Sequence, residues 1–186
     1  TNAGSYRTSK YHSKAPDLDA LREAAQLKGS ERVLDLGTGT GHTALAVAPG
    51  AEHVVGIDLT TQMLEQAHQL AQERQITNVT FEEGDAQQLA YADDSFDVVT
   101  CRVCAHHFAD PAAAVREATR VLRPGGCVLW VDSVAPEDPA QDTFLNSIEL
   151  LRDPSHVRDF SISQWQAMFA EAGLAAEPVG QWPIEL

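Results

Sequence analysis

The stretch VLDLGTGTGHTAL, residues 33–45, runs from an apolar segment through an acid into three glycines separated by single threonines, then into a helix-like pattern. Glycine lacks a Cβ, so crowding it between a strand and a helix lets the backbone pass close to a ligand. Two unrelated chemistries use nearly this spelling. The dinucleotide fingerprint G-x-G-x-x-G requires a glycine at position 42, where helix and strand pack beneath a pyrophosphate. His42 stands there instead. Asp35, two residues ahead of Gly37, would repel a pyrophosphate and attract a cation. The phosphate loop of nucleotide hydrolases is also missing, because no Gly-Lys-Ser/Thr follows.

A ligand that suits the spelling is S-adenosylmethionine, which carries a sulfonium, an ammonium and a carboxylate but no phosphate. Its carboxylate suits backbone N–H groups at the start of the helix, and its ammonium suits Asp35 or carbonyls of the loop Gly37-Thr38-Gly39-Thr40-Gly41. The competing reading is a tight turn that binds nothing. Asp58 weighs against it. It ends the run HVVGID, 58 − 37 = 21 positions after Gly37, the separation at which a strand-end carboxylate reaches the ribose hydroxyls of an adenosine. Each such charge-assisted bond contributes about 1.5–3 kcal/mol. In EGDAQQL, Asp85 suits an adenine amino group and the backbone of Ala86 the ring edge, although Gly84-Asp85 is also an ordinary turn pair. Three adenosine-sized contacts at successive strand ends favour a site over coincidence.

Strand-like and helix-like segments alternate from about Asp17, which predicts βαβ units and a parallel sheet covered on both faces. The expected strands are RVLDL, HVVGID, VTFEE, FDVVTCR and CVLWVD, with RPGG (residues 123–126) as the turn before the last. Helices are expected over about 17–28, 41–48, 60–72, from Asp110-Pro111, over 142–151 and over 163–172. A final strand is expected near 175–181.

The chain has 186 residues, enough for one domain that buries roughly 70% of its unfolded surface without staples. Its charge of 13 − 27 = −14 would repel a phosphate backbone, so neither nucleic acid nor an anionic membrane is an expected partner. Three cysteines without a secretory leader fit reduced thiols in a cytoplasmic protein, and no run approaches the about 18 apolar residues of a membrane span.

VLDLGTGTG, GIDLT with Met63 shortly after, EGDA, DDSFDVVTCR and RVLRPGGCVLWVD together resemble the successive motifs of class I S-adenosylmethionine-dependent methyltransferases, in the group of the ubiquinone and menaquinone C-methyltransferases. The resemblance spans about residues 32–133. It implies a Rossmann-like doubly wound α/β domain, a three-layer αβα sandwich with mostly parallel strands in the order 3-2-1-4-5 plus an antiparallel edge strand. It also implies a small-molecule acceptor and cofactor roles for Asp35, Gly37, Thr38, Gly39, Gly41, Asp58, Leu59, Met63, Gly84, Asp85, Ala86 and Arg102. Residues 1–30 are then a cofactor-covering segment and helix, with Tyr11 against the methionine portion, 31–133 the cofactor core, and 134–186 the acceptor side. Members of the group end in a strand hairpin, so a seventh strand is expected to be missing beyond QWPIEL.

The methyl group should then point toward the ends of strands four and five, where CRVCAHHFADP supplies His106 and His107 as candidate general bases. Either histidine could instead pack or cap the next helix. Cys101-x-x-Cys104 without a second pair is a weak metal motif, and no metal is expected. Two rivals to a methyl transferase remain: a binding protein that keeps the pocket without catalysis, and an NAD-dependent oxidoreductase, which His42 and Asp35 disfavour.

Overall fold

The computed structural model of the chain describes residues 16–182. The elements in order are α1 (Pro16–Ala24), β1 (Arg32–Leu36), α2 (His42–Val47), β2 (His53–Asp58), α3 (Thr61–Glu73), β3 (Val79–Glu83), β4 (Phe96–Arg102), α4 (Pro111–Val121), β5 (Leu122–Val131), α5 (Pro139–Arg152) and α6 (Ile162–Glu171). Short 3₁₀ turns follow α2 (Ala48–Gly50) and β4 (Ala105–His107).

The five strands form one sheet in the order β3-β2-β1-β4-β5, and every pairing is parallel. β1 and β2 run Val33-Leu34-Asp35-Leu36 and Val54-Val55-Gly56-Ile57, all but free of polar side chains, as strands buried on both faces must be. Alternation along each strand sends Val33, Val54 and Val98 to one face and Leu34, Val55, Val99 and Cys101 to the other. The first face packs α1, α2 and α3 through Leu21, Leu45, Leu64 and Leu70. The second packs α4 and α6 through Val115, Val121, Trp165 and Phe169. The result is the expected three-layer sandwich, and the strand order reverses between β1 and β4. In open sheets of this kind ligands bind at that reversal, beyond the carboxyl ends of the strands.

Local chemistry sets the helix starts. Asp110 caps α4 by accepting from Ala113 N, with Pro111 in the first turn. Asp138 caps α5 in the same way, and Ser161 with Gln164 forms a reciprocal capping box on α6. Thr60 precedes α3 in an extended conformation, but its side chain makes no cap bond.

Two expectations are corrected. RPGG is not a turn ahead of β5; it lies inside the strand as a bulge, because the register passes from Phe96↔Leu122 to Val98↔Cys127. Gly125 takes φ +86°, and a Cβ on Gly126 would sit 2.5 Å from the carbonyl oxygen of Asp97, so glycines are what let the strand bulge here. The antiparallel edge strand near 175–181 is absent among the described residues, where 174–182 holds no strand. Pro178 has no N–H to give a ladder, while Leu174 and Ala176 pack on the α4–α6 core and Gln166 Nε2 donates to the carbonyl of Ala176.

Candidate cofactor and acceptor site

The loop after β1 is braced from two sides. Gly37, Gly39 and Gly41 all have positive φ (+58°, +54° and +83°), which only glycine adopts readily. A Cβ on Gly37 would meet Cys104 Sγ at 2.6 Å and one on Gly41 would meet the Phe81 ring at 2.8 Å, whereas one on Gly39 would meet nothing within 4 Å. The loop is therefore packed hard at both ends and open at its crest, the shape of a cradle.

Asp35 lies under this cradle, 1% exposed. Thr38 Oγ1 donates to its Oδ2 at 2.7 Å, and Thr100 Oγ1, on the neighbouring strand β4, donates to its Oδ1 at 2.6 Å. Burial pushes its pKa up to about 6, against the opposing pull of the two hydroxyls. Each carboxylate oxygen thus accepts one bond inside the protein, and Asp35 braces the loop from beneath Thr38. Thr38 in turn fits only because β2 carries Gly56, where a Cβ would lie 2.7 Å from Thr38 Oγ1.

Asp58 holds the other side. Its Oδ2 accepts from Gly39 N and its Oδ1 from Thr60 N, each at 2.8 Å. A carboxylate offers about four acceptor positions, so two remain for vicinal hydroxyls. Leu59 follows with 64% of its surface exposed, an apolar side chain at the mouth, and Met63 lies half-buried in the first turn of α3. Across the β2–β3 pairing, Gly84 N donates to the carbonyl of Asp58 at 3.2 Å, which sets the EGDA turn beside it. Asp85 Oδ1 accepts from Gln87 N and Nε2, and Ala86 is buried behind it. The glycine loop, Asp58, Leu59, Gly84 and Asp85 therefore converge at the carboxyl ends of β1, β2 and β3.

Arg102 is placed differently from the expectation. It is buried, and its Nε donates to Asp17 Oδ2 of α1 at 2.6 Å, so the guanidinium ties the end of β4 to the first helix. Tyr11, with the rest of the N-terminal segment, lies outside the described residues.

At the ends of β4 and β5 the two histidines separate in character. His106 Nδ1–H donates to Asp132 Oδ1 at 2.6 Å and His106 N to Asp132 Oδ2 at 2.9 Å, and the Asp132 side chain is 1% exposed. Burial opposes protonation of His106, but Asp132, with Asp159 and Asp153 beyond it, outweighs burial and raises the imidazole pKa above its ordinary value. Burial and the neighbouring His106 lower that of His107, whose Nδ1 donates to the carbonyl of Ser155 at 3.0 Å. Sequence reasoning missed Asp132, although it ends the apolar run of β5 just as Asp58 ends that of β2. It also missed His156, which stacks on His106 at 5.7 Å between ring centroids. Cys101 and Cys104 are free thiols 3.2 Å apart, and among the described residues no group of three or more histidine, cysteine, aspartate or glutamate side chains is arranged to hold a metal ion.

The chain matches a family described as "Methyltransferase domain" over residues 27–173. It is 46% identical over 185 residues to the uncharacterized methyltransferase YcgJ of Bacillus subtilis, an alignment that spans 100% of this chain and 73% of that protein. The crystal structure of YcgJ superposes with a TM-score of 0.87 at 48% identity, covering 89% of this chain and 71% of that one. The 27-O-demethylrifamycin SV methyltransferase of Amycolatopsis mediterranei is 34% identical over 177 residues, 88% of this chain and 62% of that protein.

Proposed function

The chain belongs to the methyltransferase-domain family, and from that premise we propose that this methyltransferase takes its methyl group from S-adenosylmethionine and passes it to a small organic acceptor by direct in-line displacement. One observation carries the reading: the Asp58 carboxylate joins the open crest of the glycine loop to the end of β2 while keeping acceptor positions to spare. That arrangement suits a ribose, with Leu59 and Met63 against an adenine face, Asp85 and the backbone of Ala86 toward its edge, and Gly37, Thr38, Gly39 and Gly41 around the methionine portion. A dinucleotide pyrophosphate fits poorly, since position 42 carries a buried histidine.

The sulfonium brings its own leaving group, so the protein's main contribution is to hold donor and acceptor in line, worth roughly 7–11 kcal/mol. The charge of −14 favours a small neutral or cationic acceptor over nucleic acid. Titration calorimetry with S-adenosylmethionine, S-adenosylhomocysteine and NAD tests the reading. Binding of the first two without NAD is expected, and an Asp58→Ala variant should bind at least tenfold more weakly, since one lost charge-assisted bond is worth about 1.5–3 kcal/mol. Binding of NAD alone, or full affinity in Asp58→Ala, would refute it.

A further inference from the structure

Two thiols lie directly beneath the cofactor loop, and binding the cofactor gives them nothing to do. Cys101 is the penultimate residue of β4, Cys104 follows three residues later, and their free sulfurs are 3.2 Å apart. The chain turns back on itself between them. Val103 takes φ +53°, a conformation that a β-branched residue adopts only under constraint, and its N–H donates to the carbonyl of Val131 at 2.7 Å. That turn returns Cys104 to the loop. Its Sγ–H donates to the carbonyl of Leu36 at 3.3 Å, and a Cβ on Gly37 would fall 2.6 Å from the same sulfur and 2.8 Å from Cys104 Cβ. Gly37, the first glycine of the loop, therefore rests on Cys104. Cys127 packs on the α1–α3 face of the sheet, whereas Cys101 and Cys104 pack on the α4–α6 face, so the sheet separates the third thiol from the pair.

We propose that Cys101 and Cys104 form an oxidation site, closed reversibly to a disulfide by a hydroperoxide, and that closure withdraws the support of Cys104 from the cofactor loop. The effect on the cofactor rests on the S-adenosylmethionine reading above; the disulfide itself does not. In the first step the Cys104 thiolate attacks the outer peroxide oxygen, the oxygen–oxygen bond breaks, and the departing alkoxide or hydroxide takes a proton from solvent, leaving Cys104 as a sulfenic acid. In the second the Cys101 sulfur attacks that of Cys104, the sulfur–oxygen bond breaks, and hydroxide leaves as water with the Cys101 proton. The peroxide gains the two electrons that the thiols lose. A dithiol reductant restores both thiols by exchange.

The order of attack follows from exposure. Cys104 is half-buried and Cys101 enclosed, so peroxide meets Cys104 first and Cys101 resolves the sulfenic acid from within. A hydrogen bond from the Cys101 thiol favours the Cys104 thiolate, but burial and the carboxylates of Asp132, Asp35 and Asp58 outweigh it and hold the Cys104 pKa above its ordinary value. Burial pushes that of Cys101 well up. The site is therefore slow to oxidise near neutral pH and answers to sustained exposure. Closure has a direct cost for the loop. A disulfide has no S–H, so the bond to the Leu36 carbonyl is lost, and the sulfurs draw together to about 2.05 Å, which moves Cys104 from beneath Gly37.

The test treats ligand-free protein with hydrogen peroxide, removes the excess with catalase, and counts free thiols by alkylation under denaturing conditions and mass spectrometry. Three thiols should fall to one. Trypsin cleaves after Arg102, between the two cysteines, so the disulfide should keep two peptides joined until a reductant is added. The oxidation rate should still climb above about pH 8.5, the ordinary thiol pKa. In calorimetry the oxidised protein should bind S-adenosylmethionine about tenfold more weakly, the equivalent of one hydrogen bond, and dithiothreitol should restore the affinity. Cys101→Ala should give no joined peptide, and Cys127→Ser should keep both the joined peptide and the loss of affinity. Three surviving thiols, a disulfide to Cys127 or between chains, or a joined peptide with unchanged affinity overturns the proposal. Failure of the reduced wild-type protein to bind S-adenosylmethionine overturns the cofactor reading instead, and the thiol count then decides the oxidation site by itself.

Discussion

Asp35 is a carboxylate in a place that disfavours its charge, and replacing it by Asn should reveal the cost as a function of pH. Its pKa rises from 3.8 to about 6 because burial outweighs the two threonine hydroxyls. At about 1.36 kcal/mol for each tenfold change in proton affinity, that rise amounts to about 3 kcal/mol. The sign follows from linkage. A carboxyl whose folded pKa is raised binds its proton more tightly in the folded state, so its stabilising contribution is complete below pH 3.8 and is lost as pH rises through about 6. Between pH 4.5 and 7 that loss is about 2 kcal/mol. Asn keeps the shape and an acceptor for one hydroxyl, while the other hydroxyl can turn to accept from the amide. Urea unfolding of both proteins at the two pH values isolates the term, because every other titrating group is common to them. Relative to wild type, Asp35→Asn should gain about 2 kcal/mol on going from pH 4.5 to 7. An identical stability difference at both pH values would show that Asp35 ionises as it does in water, and the account of a charge held under the loop by Thr38 and Thr100 would fail.

Two further perturbations follow from the same packing. Asp17→Ala removes the carboxylate that accepts from the buried Arg102 Nε and should destabilise the protein by about 1–3 kcal/mol in urea unfolding, whereas an unchanged stability would mean that the α1–β4 tie is dispensable. Gly56→Ala places a methyl 2.7 Å from Thr38 Oγ1 and 2.8 Å from Phe81, with Thr38 unable to retreat because it is bonded to Asp35. It should cost about 1–3 kcal/mol by the same measurement and weaken S-adenosylmethionine binding in calorimetry, and unchanged values for both would show that the loop has slack.

Much of the fold was legible because a doubly buried parallel strand has little choice of sequence. RVLDL, HVVGID and FDVVTCR begin and end as strands where their apolar runs do, and the strand order is the one that the resemblance to class I methyltransferases implies. The edges were less legible. RPGG carries every local sign of a turn, and only its pairing with β4 across Asp97 makes it a bulge. The stretch near 175–181 is read as a strand, but no periodicity reveals that Leu174 and Ala176 prefer the α6 core.

At the site the sequence located Asp35 and Asp58, missed Asp132, and could not assign their duties. Asp35, Asp58 and Asp132 all stand at or near the carboxyl ends of strands, β1, β2 and β5, and by position alone each is a candidate ligand contact. What distinguishes them is the company brought by distant segments. Thr100, 65 residues away, helps seal Asp35 beneath the loop; Gly39 leaves Asp58 with spare acceptor positions; and His106, 26 residues before it, turns Asp132 inward. The adjacent histidines make the same point in two residues. His106 and His107 are chemically identical and sequence-neighbours, yet a buried carboxylate outweighs burial and raises the basicity of the first, while burial and the neighbouring imidazole lower that of the second. Residue type and spacing therefore suffice to bring candidate groups to one end of the sheet. The protonation states on which its chemistry depends are set by contacts between β4, β5 and the α5–α6 connection, which become neighbours only once the sheet has formed.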